Sequence, residues 1–73
     1  MHVKSQTFLI LGVSKSGYAV AEHLLTNGAK CFLFEEKRSA KIDLAIKELV
    51  EKGATVVKLS EVEDVLKMTD VVV

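Results

Sequence analysis

Gly12, Ser14, Lys15, Ser16 and Gly17 follow the apolar run Phe8-Leu9-Ile10-Leu11 almost without a break, a spacing that predicts a Gly/Ser loop between a strand and a helix. The chemistry open to such a junction is anion binding. The first amides of a helix have no intrahelical acceptors, and the aligned peptide dipoles concentrate positive potential there, so main chain alone can hold a phosphate. Glu35 lies eighteen residues beyond Gly17, at the end of a second apolar run. A carboxylate there can accept from ribose hydroxyls or from a uracil imide N–H, and Lys37 or Arg38 could donate to carbonyl or phosphate oxygens.

In the dinucleotide fingerprint G-x-G-x-x-G the first glycine makes the turn, the second admits the pyrophosphate and the third lets the helix pack on the strand. Here those positions hold Gly12, Ser14 and Gly17. Ser14 puts a side chain where a dinucleotide pyrophosphate comes closest, so a mononucleotide diphosphate of the UDP kind is expected ahead of NAD. Other readings stand beside this one. Glu35-Glu36-Lys37-Arg38 also fits a solvated turn, and a strand-loop-helix junction with two glycines also occurs in modules that bind no nucleotide.

Ten basic and ten acidic side chains are interspersed over 73 residues, leaving no basic face to follow a nucleic-acid backbone or an anionic membrane. The run Phe8 to Leu11 is far too short for a bilayer span or a signal peptide, so a soluble, cytoplasmic domain is expected. Cys31 has no second cysteine to pair with and reads as core packing. His2 and His23 have no further ligands at metal spacing, and no catalytic set is evident.

Positioning these residues requires alternating strands and helices. Strand one is expected over about Thr7 to Leu11, and a helix from Ser16 or Gly17 to Asn27, stopped by Gly28. Strand two follows at Lys30 to Glu35. Ser39 caps a second helix over Ala40 to Lys52, where Asp43 with Lys47 and Glu48 with Lys52 are spaced as i,i+4 ion pairs. A strand at Ala54 to Lys58, a capping box at Ser60-Glu61-Val62-Glu63 opening a short helix to Met68, and a strand from Asp70 to Val73 complete the order. Strands apolar on both faces and separated by helices predict a Rossmann-like parallel sheet of order 3-2-1-4. The chain stops inside Val71-Val72-Val73 with neither turn nor cap, the expectation for the N-terminal piece of a longer protein, cut at strand four.

The loop Gly12-Val13-Ser14-Lys15-Ser16-Gly17-Tyr18-Ala19, with Gly28-Ala29-Lys30, the acid-tipped second strand, Gly53-Ala54-Thr55-Val56-Val57 and Asp70-Val71-Val72-Val73, resembles the N-terminal domain of the Mur ligases. The Gly-x-x-Lys-Ser-Gly form of the loop points to the branch that adds D-glutamate. The resemblance implies a domain that holds the UDP part of UDP-MurNAc-L-alanine for peptidoglycan synthesis. Loop residues Ser14, Lys15, Ser16 and Gly17 would meet the diphosphate, Gly12 would shape the loop, and Glu35, Glu36 and Lys37 would surround the uracil. Family members more often carry Asp at the strand tip. ATP and Mg2+ would serve the parent ligase through domains absent from these residues, and the remaining ligase domains would be the partners. The alternative is an NAD(P)-binding Rossmann domain of a dehydrogenase or regulatory protein, with Glu35 on the adenosine ribose.

Overall fold

The computed structural model describes residues 3–73, so His2 lies outside the described residues. Seven elements follow in the order β1 (Thr7–Leu11), α1 (Lys15–Thr26), β2 (Lys30–Phe34), α2 (Ala40–Glu51), β3 (Thr55–Val56), α3 (Leu59–Lys67) and β4 (Val71–Val72). The four strands form one parallel sheet in the order β3-β2-β1-β4, as the alternation of elements predicts. β1 and β2 run in register from Thr7 beside Lys30 to Leu11 beside Phe34.

Alternate residues of a strand face opposite sides of its sheet, and here both sides are covered. Phe8, Ile10, Cys31 and Leu33 pack with Ala21 and Leu24 of α1 and Ile46 and Leu49 of α2. Leu9 and Phe32 turn the other way, onto Val57 and Val65, the latter from α3. Cys31 is fully buried in the first of these clusters, the packing role expected from its setting. Ser14 caps α1 and Ser39 caps α2, with the Ser39 hydroxyl accepting from the Ile42 amide at 3.2 Å.

The ends of several elements differ from the expectation. β3 and β4 are two residues each, and single bonds extend the ladder past them: the Val57 amide donates to the Leu33 carbonyl at 2.9 Å, the Val73 amide to the Leu9 carbonyl at 2.8 Å, and the Leu11 amide to the Val73 carbonyl at 3.0 Å. α3 begins at Leu59, capped by Lys58, whose amide donates to Glu61 Oε1 at 2.8 Å. Glu61 thus performs half of a capping box two residues earlier than one opened by Ser60. The expected ion pairs within α2 are replaced by contacts to other elements. Asp43 accepts from Arg38 Nε at 2.6 Å, Glu48 accepts from the Tyr18 hydroxyl at 2.6 Å, and Lys52 bonds Glu22 of α1. A parallel neighbouring helix offers α2 partners of fixed geometry that an isolated helix would lack.

Among the described residues, no helix is long and apolar enough to cross a membrane, and no three His, Cys, Asp or Glu side chains converge at metal-binding distance.

Candidate functional site

β1 is flanked by β2 on one side and β4 on the other, so the carboxyl end of β1 is the point at which the strand order reverses direction. Ligands of open α/β sheets bind at such switch points. The loop leaving β1 begins at Gly12, whose amide donates to the Phe34 carbonyl at 2.8 Å and whose φ of +97° favours glycine. Gly17 has a steric reason instead. A Cβ built there would lie 2.2 Å from the Gly12 carbonyl oxygen, so the first turn of α1 closes on the end of β1 only because residue 17 lacks a side chain.

Between these glycines, Ser14 adopts an ordinary extended conformation at φ −77° and ψ −178°. Its hydroxyl oxygen accepts from the Gly17 amide over 3.4 Å, which turns the side chain back onto the helix it caps. The amides of Ser14, Lys15 and Ser16 meet no protein acceptor among the described residues, and no acidic side chain sits in the first turn of α1. Three exposed donors at a helix N-terminus are available to an anion.

Glu35, just past β2, is brought onto this loop. Its Oε1 accepts from the buried Val13 residue's amide at 2.7 Å and its Oε2 from the Lys37 amide at 3.1 Å. Donation by Val13 first, and then by Lys37, holds the Glu35 carboxyl below the usual carboxylate range, against a smaller opposing effect of desolvation. Glu36 and Lys37 are exposed, and Lys37 meets Glu35 through its main chain. Arg38 is held by Asp43 of α2.

Beside Glu35 an open crevice of about 570 Å³ runs between the ends of β2 and β3, with Phe34, Val56 and Leu59 as apolar walls and Arg38 at its rim. Neither this crevice nor the Val13 contact was expected from the sequence. The apolar residues after β3 hint at the crevice, but the reach of Glu35 back over twenty-two positions carries no sequence signal.

A parallel sheet of this order, with a glycine-bounded strand-to-helix loop at its switch point and an acid at the tip of the adjacent strand, defines a Rossmann-type α/β domain. No protein-family model and no curated protein matches the chain. Among solved structures it resembles the apo-structure of D-lactate dehydrogenase from Escherichia coli, with a TM-score of 0.69 and 24% identity over 99% of this chain and 20% of that one. It also resembles the PH0520 protein from Pyrococcus horikoshii OT3, with a TM-score of 0.68 and 24% identity over 99% of this chain and 19% of that one. The chain therefore spans about one fifth of the length of the proteins it matches.

These likenesses correct the Mur ligase expectation. The neighbours are a dehydrogenase and PH0520, and no sequence comparison supports a peptidoglycan ligase, so UDP-MurNAc-L-alanine and further ligase domains fall away as partners. The physical reason lies in what carried the resemblance. An apolar strand, a Gly/Ser loop and an acid-tipped second strand are demands of the Rossmann-type junction itself, shared by folds of different chemistry.

Proposed function

We propose that this chain is the cofactor-binding part of a dehydrogenase-type protein and that its ligand is NAD, held by the loop from Gly12 to Gly17 and by Glu35. The observation that carries the reading is the placement of the Glu35 carboxylate against the Val13 amide, which sets an ionised acid beside the anion-binding loop. The residues suit the cofactor. The amides of Ser14, Lys15 and Ser16 would take the pyrophosphate, and the lone pairs left on Glu35 would accept from the adenosine ribose hydroxyls. A negative charge at that place disfavours the 2′-phosphate of NADP. The Ser14 side chain, which counts against a dinucleotide when read from sequence, is folded onto the Gly17 amide, and this supports a pyrophosphate lying over the loop.

The crevice beside Phe34 and Leu59 is sized and lined for a flat base. A bound nicotinamide supplies hydride-transfer chemistry. This chain would bind and orient the cofactor, and a substrate would be met by other residues of a whole enzyme. Isothermal titration of the chain with NAD+ and NADP+ tests the reading: saturable binding of NAD+, at least tenfold tighter than NADP+, supports it, and absence of NAD+ binding refutes it.

A further inference from the structure

On the helical side of the loop, a groove of about 590 Å³ separates the first turns of α1 and α2. Its walls are Tyr18, Ile42, Leu44 and Ala45, and its cations are Lys15 and Lys41. Leu44 is 62% exposed, an aliphatic side chain with one flank on this groove and no role in the core. Neither lysine has a carboxylate within 4.0 Å among the described residues, whereas Arg38, Lys52 and Lys67 are each paired. The groove's acid, Glu48, lies seven residues after Lys41 on α2, about 10 Å along the helix axis, with one carboxylate oxygen accepting from the Tyr18 hydroxyl. The groove is thus cationic at the end where both helices begin and apolar along its length.

We propose that this groove binds a small amphiphilic carboxylate, its head group between Lys15 and Lys41 and its apolar body along Leu44, Ile42 and Tyr18. Charge complementarity selects the head group: the ammonium groups of Lys15 and Lys41, neither in an ion pair among the described residues, come from the first turns of the two helices that wall the groove, and Glu48 lies further along α2. The volume is that of a small-molecule site rather than of a protein interface. The groove shares Lys15 with the loop but uses its side chain, where the loop uses its amide. This inference does not rest on the cofactor reading.

The test is amide chemical-shift mapping of the 15N-labelled chain with sodium decanoate and with decyltrimethylammonium, both below their micellar concentrations. Decanoate is expected to give saturable shifts at Val13, Lys15, Tyr18, Ile42 and Ala45, and the ammonium amphiphile none there. Lys41→Glu and Leu44→Ser, both at exposed positions, are each expected to weaken decanoate at least fivefold while leaving spectral dispersion and the response to NAD+ unchanged. Equal binding of both amphiphiles, shifts centred on Val71 to Val73, unaltered affinity in the two variants, or no saturable shift would overturn the proposal. A chain that ignores NAD+ but maps decanoate to the groove refutes the cofactor reading alone.

Discussion

The amide of Val13 donates to Oε1 of Glu35 over 2.7 Å, tying the loop after β1 to the tip of β2. One carboxylate thereby satisfies a main-chain donor, fixes the path of the loop and places negative charge beside it. Replacing Glu35 with Ala strands the Val13 amide and is expected to cost about 1–2 kcal/mol. Glu35→Gln, which keeps an acceptor, is expected to lose less stability but to relax discrimination against NADP. Urea unfolding of the three proteins, with the two cofactors titrated into each, checks both outcomes.

The same contact sets a pH dependence. Because Val13 and Lys37 donate to the ionised form, the carboxyl of Glu35 titrates lower in the folded chain than in the unfolded one. Its contribution to stability is therefore complete above the unfolded pKa and is lost as pH falls through the folded one. Urea midpoints of the wild type should decline through the acid range more steeply than those of Glu35→Gln. Equal acid limbs would show that the contact does not survive in solution.

At the alkaline end the sign reverses. The hydrogen bond from Tyr18 to Glu48, followed by desolvation and the charge of Glu22, raises the Tyr18 pKa. A raised folded pKa gives stability that is present below the unfolded value and disappears as pH climbs through the folded one. Tyr18→Phe should flatten the alkaline limb of the stability profile, as followed by unfolding midpoints together with the tyrosinate absorbance of the wild type.

Gly12 and Gly17 are both required, for separable reasons. Gly12→Ala meets open space but must hold φ +97°, a strain of about 1–2 kcal/mol. Gly17→Ala drives a Cβ to 2.2 Å from a backbone oxygen, so α1 must move off β1, at a cost of about 1–3 kcal/mol or more. Denaturation should rank Gly17→Ala as the more damaging change. The reverse order would mean that the helix has room to shift.

The strand order and the loop were legible because they rest on local signals: apolar runs, the cap Ser39 and the stop at Gly28, whereas Ser14 as the cap of α1, and with it a helix start at Lys15, was not read. The partners of Glu22, Asp43, Glu48 and Lys52 were not, since i,i+4 spacing describes an isolated helix while α1 and the β2–α2 loop supply the actual contacts. The start of α3 moved because Glu61 serves the amide of Lys58 where a Ser60 cap was expected. The ligase resemblance failed for a related reason. Residues that build a Rossmann-type junction are chosen by backbone geometry at Gly12 and Gly17, and that geometry does not distinguish the molecules laid over it.

The most direct test of the cofactor reading is titration of the 15N-labelled chain with NAD+, followed by amide shifts. The account predicts saturable changes at Ser14, Lys15, Ser16, Glu35 and Lys37, with NADP+ at least tenfold weaker. Shifts confined to other parts of the sheet, or equal affinity for the two cofactors, would contradict it.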